Sequence, residues 1–410
     1  MNKNQLVLLM VVAAVVGGIG YNLSKKEKAT WTDSAQKMGE KLLTTLKVED
    51  INNVESITIK STAGSLSLAK KGDVWGVPDR GDYPANYETL HSFLMKMFEL
   101  KVSQPVKATA GQLERLELLP PEKGTNGGGG TVVELKDKSG KVITSLTLGK
   151  KVIKESGAAS PMGGGGSFPV GRYVQVGNDL KSVALVSESF ASIEPKPEDW
   201  LDKDFLKIEK IRSISVTHAQ ATNNWKIIRD TEAGEWKLQD AKGEEKLDTS
   251  KTSGFNWLLS SGSFADVGSA SVKPEDSGLD KPIVAKLQTF EDFSYEVKLG
   301  KAQADGRHFV QFSTTANIPK ERTPGKDEKP EDKDKLDKEF KDKLTKSQEK
   351  LKKEKFYDKW VYLVDKYTVE NLLKERREFL AEKKDETKKD DAKKAPGLGA
   401  PDPFEPQFPK

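Results

Sequence analysis

Hydrophobic positions along the chain fall into three patterns. An uncharged run from Leu6 to Leu23 comes first, preceded by Lys3 and closed by Lys25, Lys26 and Lys28. Short alternating segments follow, such as Thr131 to Lys136 and Ile143 to Leu148, which read as strands with one face in a core. Elsewhere the apolar residues recur at helical spacing. Tyr87, Leu90, Leu94, Met97 and Phe98 do so after Pro84, and predict an amphipathic helix whose stripe covers a sheet.

The alternating segments occur twice in the same order. Val54-Glu-Ser-Ile-Thr-Ile59 runs to Gly72-Asp-Val-Trp75, and Ile211-Arg-Ser-Ile-Ser-Val216 runs to Gly234-Glu-Trp236. Ser145-Leu-Thr-Leu-Gly-Lys150 then answers to Tyr295-Glu-Val-Lys-Leu-Gly-Lys301, Gly171-Arg-Tyr-Val-Gln-Val176 to Gly306-Arg-His-Phe-Val-Gln-Phe312, and Val183-Ala-Leu-Val186 to Val361-Tyr-Leu-Val364. The changing separation places an insert at Ser160 to Gly166 in the first copy and at about 318–356 in the second. Each copy is expected to contain three strands, an amphipathic helix, a short helix, four strands and a closing helix. In the second copy Asp248 or Thr249 would cap a helix carrying Phe255, Leu258 and Leu259.

The fold class expected is α+β, with two tandem copies of a mostly antiparallel sheet and amphipathic helices on one face, after a single N-terminal transmembrane helix. The divisions are 1–28 as membrane anchor or signal, 29–50 as a juxtamembrane helix, 51–195 as the first copy and 196–208 as a connector. The second copy then takes 209–382, and 383–410 form a tail. Asp33 would cap the juxtamembrane helix, and Met38, Leu42, Leu43 and Leu46 give it an apolar face. From Arg322 to Lys355 both charge signs dominate, with Leu336, Phe340, Leu344 and Leu351 at loosely helical spacing, which predicts an exposed helical excursion. The tail from Lys383 mixes Lys/Asp blocks with Pro-rich sequence and is expected to be disordered, because it buries too little to offset ordering entropy.

Two fates fit the Leu6–Leu23 run. It is at the short end of a spanning helix, and its most apolar part stops near Ile19, within the range of a signal peptide. Gly18 and Gly20 are small enough for a cleavage site, whereas Tyr21-Asn-Leu23 extends the helix and favours an uncleaved anchor. The flanking lysines nearly balance, so orientation rests on the habit of a lone N-terminal segment to act as an export signal. The expected place is the bacterial inner membrane, single-pass, with the main domain periplasmic. Charge adds little: 67 basic against 63 acidic residues leave +4, with no general case for nucleic acid. Cysteine is absent, which excludes disulfides, thiol catalysis and Cys-ligated metals.

Candidate chemistry is sparse. Gly127 to Gly130 lacks the Gly-Lys-Ser/Thr of a phosphate loop and leads into a strand, so it reads as a hairpin connection, as does Gly163 to Gly166. His91, His218 and His308 are too far apart for a helix-borne metal pair and are given structural roles. Glu198, Asp199, Asp202 and Asp204 lack the spacing of an EF-hand and read as solvated loop acids. No Gly-x-Ser-x-Gly occurs. Trp75 and Trp236 hold equivalent places and predict shared core packing; Trp200, Trp225, Trp257 and Trp360 are assigned to the core by default, an exposed subset being the mark of a binding patch. No catalytic, cofactor-binding or metal-ligating residue is assigned.

The Ile57-Thr-Ile59 strand, the Gly72-Asp-Val-Trp75 turn, Tyr83-Pro-Ala-Asn86, Leu148-Gly-Lys150 and Gly171-Arg-Tyr-Val174 together resemble the domain of unknown function 4340 family, as does the connector Glu198-Asp-Trp-Leu-Asp-Lys-Asp-Phe205. The resemblance covers about Val48 to Leu373. It implies a membrane-anchored bacterial protein, sometimes similar to auxiliary components of gliding-motility-type ABC transport systems, and transfers no catalytic residue. The chain departs from those components in lacking a second apolar span near its C-terminus. The function expected is a non-enzymatic envelope module for binding or scaffolding, with an envelope protein or the cell wall as partner. The alternatives are an accessory subunit of an ABC-type transport system and an envelope hydrolase without a recognisable motif.

Overall fold

The computed structural model describes residues 36–124, 128–155, 167–239, 241–269, 271–325 and 328–381. The apolar run 6–23, the Gly163–Gly166 tract and the tail from 383 lie outside these residues. Among the described residues no helix is long and apolar enough to cross a membrane.

The chain runs through α1 (Val48–Asn52), β1 (Ser56–Ser61), β2 (Gly64–Lys71), β3 (Val74–Val77), β4 (Tyr83–Pro84), α2 (Tyr87–Phe98) and β5 (Val102–Pro105). It continues through β6 (Thr131–Lys136), β7 (Val142–Glu155), β8 (Ser167–Val176) and β9 (Val183–Val186). A second series follows: β10 (Ile211–Thr217), β11 (Trp225–Ile228), β12 (Lys237–Leu238), β13 (Asp266–Val267), α3 (Pro274–Ser277), β14 (Ile283–Thr289), β15 (Phe293–Ala302) and β16 (His308–Ala316). It ends with α4 (Lys333–Glu354), β17 (Val361–Val364) and α5 (Lys366–Leu373).

Two antiparallel sheets result, ordered β4-β3-β2-β1-β6-β7-β8-β9-β5 and β12-β11-β10-β14-β15-β16-β17-β13. Apart from the extra edge strand β4, the orders are the same. The register agrees as well: Ile57 sits opposite Leu68 and Leu135, and Ile214 opposite Ile227 and Leu287. Alternation explains why, since a one-residue slip would turn every one of these buried side chains to solvent.

The repeated Leu-Gly-Lys segments have a steric cause. In the first sheet the chain after β5 folds over β7, and Lys150 N–H donates to the Leu116 carbonyl at 2.8 Å. A Cβ on Gly149 would overlap that same carbonyl oxygen. In the second sheet α3 takes the equivalent place, and a Cβ on Gly300 would overlap the Ser277 carbonyl oxygen. Glycine is required at both points because backbone packs directly on strand. The Gly-Arg segment of β8 works similarly: a Cβ on Gly171 would stand 2.5 Å from the Val186 carbonyl oxygen. Arg172, 7% exposed, donates to the carbonyls of Gly149 at 2.7 Å and Phe190 at 3.1 Å. Burial lowers its pKa to about 10, so it stays charged at neutral pH.

Three expected helices come out differently. Over 248–259 the chain forms two 3₁₀ turns, Thr249–Lys251 and Ser253–Trp257. Asp248 does cap the first, accepting from Ser250 N–H at 3.1 Å. The following Thr-Ser-Lys-Thr-Ser-Gly sequence propagates poorly because Thr252 Oγ1 bonds back to the Thr249 carbonyl and Gly254 adds backbone entropy. Residues 36–47 are turns rather than part of a 29–50 helix, and helix begins only at Val48. Gly39 adopts a left-handed φ of +82°, and Leu42 N–H donates to the Leu100 carbonyl at 2.7 Å. Leu42, Leu43 and Leu46 are buried in the first core, so this stretch is part of the domain and not a spacer. No helix closes the first sheet between β9 and the Pro197–Asp199 turn; α5 closes the second. The charged excursion does hold a helix, α4, with Leu336, Phe340, Leu344 and Leu351 half-buried along it.

After α5 the chain returns to the second sheet. Arg376, 5% exposed, donates to Glu245 Oε2 at 2.6 Å, and Phe379 packs on Trp225 at 4.9 Å. The Arg376 hydrogen bond holds the Glu245 carboxyl below its ordinary 4.5. A carboxylate lowered on folding contributes stability that is present above its unfolded pKa and lost as pH falls through the folded one. Glu245→Gln is therefore expected to lower the thermal midpoint at pH 7, with the gap to the parent closing at about pH 3; an equal gap at both pH values would contradict the ion-pair account.

Candidate functional site: the seam between the sheets

The connector builds the join between the two sheets. Its first residues lie along β4: Asn86 N–H donates to the Trp200 carbonyl at 2.7 Å, Asp202 N–H donates to the Pro84 carbonyl at 2.9 Å, and Leu201 bridges Ala85. Trp200, 1% exposed, packs edge-on to Phe93 of α2. Phe205 then enters the second sheet, where its ring meets those of Tyr362 at 4.9 Å, Phe264 at 5.0 Å, Phe312 at 5.6 Å and Tyr357 at 5.8 Å. Tyr83 reaches over from β4 to Trp360 at 4.9 Å and Phe264 at 5.6 Å. One hydrophobic cluster thereby runs through both sheets.

Polar contacts fix the alignment of the join. Arg80 donates Nε to Asp266 Oδ1 at 2.9 Å and Nη2 to Asp266 Oδ2 at 2.8 Å, a bidentate pair joining the β3–β4 turn to β13. The Asp266 hydrogen bond raises the Arg80 pKa against the opposing effect of burial. Trp360 Nε1–H donates to the Gly81 carbonyl at 3.3 Å.

Beside these rings lies a cavity of about 430 Å³. Tyr83, Pro84, Phe356 and Tyr357 supply its apolar wall, and Lys353 pairs with Asp204 at 3.0 Å, tying α4 to the connector. At the C-terminal end of α4, Tyr295 Oη donates to Glu354 Oε2 at 2.7 Å. Burial raises the Glu354 pKa and pushes the Tyr295 phenol far up. Burial also raises Tyr83, and pushes Tyr357 up to about 12 with help from Asp204 and Asp202. These phenols are protonated at neutral pH, and the Tyr295 phenol donates to Glu354.

The other candidates from the sequence are dispersed. Gly130 N–H donates to the Leu119 carbonyl at 2.8 Å and Gly129 bridges Leu119, so the described part of that glycine run closes on neighbouring chain. His91 stacks on Tyr87, His218 Nε2 lies 3.1 Å from the Lys374 carbonyl, and His308 Nδ1 lies 3.4 Å from the Gly300 carbonyl. Among the described residues no group of three His, Cys, Asp or Glu could hold a metal ion. Of the connector acids, Asp202 and Asp204 border the seam cavity. Trp75, Trp200, Trp225 and Trp236 are buried, whereas Trp257 is 77% exposed. Sequence reasoning missed Arg80, Asp266, Phe264 and the edge strands β5 and β13; the Arg80–Asp266 partners are 186 positions apart and carry no local signal.

Residues 75–282, from Trp75 in β3 to the residue before β14, match the family model described as Domain of unknown function (DUF4340). The chain belongs to the DUF4340 family. The matched span is narrower than the 48–373 over which the resemblance was drawn, and it includes the whole connector together with Arg80, Phe205 and Asp266. The DUF4340 match thus straddles the seam rather than stopping at either sheet. No curated protein and no solved structure matches the chain.

Proposed function

We propose that this DUF4340 protein is a non-enzymatic binding or scaffolding module of the bacterial envelope, held at the inner membrane by residues 6–23 with its two sheets on the periplasmic side. The observation that carries the reading is the single core running through both sheets and their connector, locked by the Arg80–Asp266 pair. Such a join makes one stiff body and holds surfaces on the two sheets at a fixed spacing, which suits presentation to a partner better than hinged closure over a substrate. The uncharged N-terminal run supports the membrane placement.

Fractionation with protease accessibility on intact cells and spheroplasts tests the placement, following a C-terminal tag. Membrane retention at full length with digestion only in spheroplasts is the expected result; a protected domain would refute a periplasmic site. In-cell crosslinking tests the role, and recovery of no envelope partner would count against scaffolding. Co-purification with an ATPase and a permease would point instead to an accessory subunit of an ABC-type transport system.

A further inference from the structure

The two sheets carry grooves at equivalent places with different chemistry. Each groove lies between the chain leading to the edge strand β5 or β13 and the chain that follows β9 or β17. In the first, α2 and residues 188–193 enclose about 540 Å³, and Lys96 Nζ meets Glu188 Oε2 at 3.3 Å from opposite walls. In the second, residues 254–262 and α5 enclose about 220 Å³, and none of the residues lining it is charged. Charged residues make up 32% of this chain, so a neutral lining sets the groove apart from its surroundings.

Two exposed aromatic side chains border the neutral groove. Trp257 is 77% exposed and Tyr367 is 70% exposed, and both line it. Tryptophan is ordinarily held inside, as Trp75, Trp200, Trp225 and Trp236 are here, so an exposed indole and an exposed phenol lining one groove call for a partner. The rest of the lining mixes Leu258 and Leu259 with uncharged polar side chains. Asn371 and Ser261 contribute an amide and a hydroxyl; Asn371 Oδ1 accepts from Lys374 Nζ at 2.8 Å, which leaves Nδ2 as its donor, and Gly254 lets Asn371 lie close, since a Cβ there would stand 2.5 Å from Asn371 Nδ2.

From these observations we propose that the groove binds a neutral glycan, one sugar ring packing against Trp257 and Tyr367 and hydrogen-bonding to Asn371. No side chain that lines the groove is charged, the Lys374 ammonium beside it being engaged by Asn371 Oδ1, and amide and hydroxyl groups match sugar hydroxyls. Aromatic side chains favour the C–H-rich face of a pyranose while leaving its hydroxyls free to pair. The volume lies below the roughly 300–1,000 Å³ of sites that enclose a drug-sized ligand, so the groove grips a unit of a longer chain. The first groove, crossed by an ion pair, does not share this chemistry. The inference rests on the binding-module reading and names a ligand class for it.

The test uses the full chain in a detergent without a sugar headgroup, titrated with chitotetraose and with cellotetraose while tryptophan emission is followed. A saturable blue shift with at least one of them is expected, since Trp257 loses water on binding. Trp257→Ala should abolish the shift, and Tyr367→Ala should weaken binding about tenfold. Tyr87→Ala, which removes an exposed ring elsewhere, should leave it unchanged. Affinities for both variants are confirmed by calorimetry, so that losing the reporter is not mistaken for losing the site. No saturable response to either oligosaccharide, or equal calorimetric affinity in Trp257→Ala, overturns the assignment. Either of those results leaves the platform reading to its own topology and crosslinking tests.

Discussion

Phe205→Ala is expected to lower the unfolding free energy by about 3–5 kcal/mol, the range for removing a buried aromatic ring. Phe205 is 5% exposed, and its ring touches four others from three parts of the second sheet and its insert: Phe264, Phe312, Tyr357 and Tyr362. Those neighbours are held on separate strands and turns, so they cannot collapse together into the void without moving backbone. The seam should therefore feel the loss more than an isolated core site would. Urea unfolding monitored by far-UV circular dichroism measures it, the midpoint falling while the slope stays near the parent's. A cost under about 1.5 kcal/mol would mean that the rings repack readily and the join is softer than its geometry indicates.

Gly300→Ala is the second large effect, at about 1–3 kcal/mol or more from overpacking. The new methyl group would overlap the Ser277 carbonyl oxygen, a backbone atom at the end of α3, and would also approach Phe309 Cβ at 3.2 Å. Backbone cannot swing aside as a flexible side chain can, so either α3 lifts off β15 or the strand bulges. Gly149→Ala should behave the same way because the Leu116 carbonyl occupies the matching position over β7. Gly111→Ala provides the contrast: nothing lies within 4 Å of its Cβ direction, and a change within about ±0.5 kcal/mol is expected. Thermal midpoints of the three variants compare them directly. Equal shifts for Gly300 and Gly111 would remove the steric explanation of the repeated Leu-Gly-Lys segment.

Strands were the most legible part of the fold. Thr131–Lys136 alternates buried and half-buried as its spelling implies, and the segments paired in the repeat supply β1 from Ser56 and β10 from Ile211, each between equivalent neighbours. The helix at Tyr87–Phe98 was legible for the same reason, and Asn86 caps it by accepting from Thr89 N–H at 2.9 Å. Helix failed where the apolar spacing was right but the intervening residues were Thr, Ser and Gly, as at 249–257, because those residues bond locally instead of propagating. Leu42, Leu43 and Leu46 suggest a free amphipathic spacer because nothing local signals that Leu42 N–H meets the Leu100 carbonyl and that Gly39 and Glu40 pair with Val102 of β5.

The candidate sites were less legible than the fold. Default assignment placed Trp257 in the core with the other tryptophans, yet it stands 77% exposed, because periodicity within a segment does not say which segment covers it. The Asp202 and Asp204 acids read as solvated, and Asp204 is indeed exposed, but nothing in the sequence pointed to its surface pairing with Lys353 from the distant α4 insert.

What the sequence determined by itself is local: which residues alternate, where order repeats, where glycine interrupts a strand, and that an uncharged run precedes it all. Each of these follows from spacing along a few residues. Tertiary structure decided how the sheets join, which glycines meet a carbonyl, and which of two equivalent grooves stays neutral. Those outcomes depend on contacts across large separations, such as Arg80 with Asp266 and Phe205 with Tyr362, whose energies arise only once both partners have been brought together.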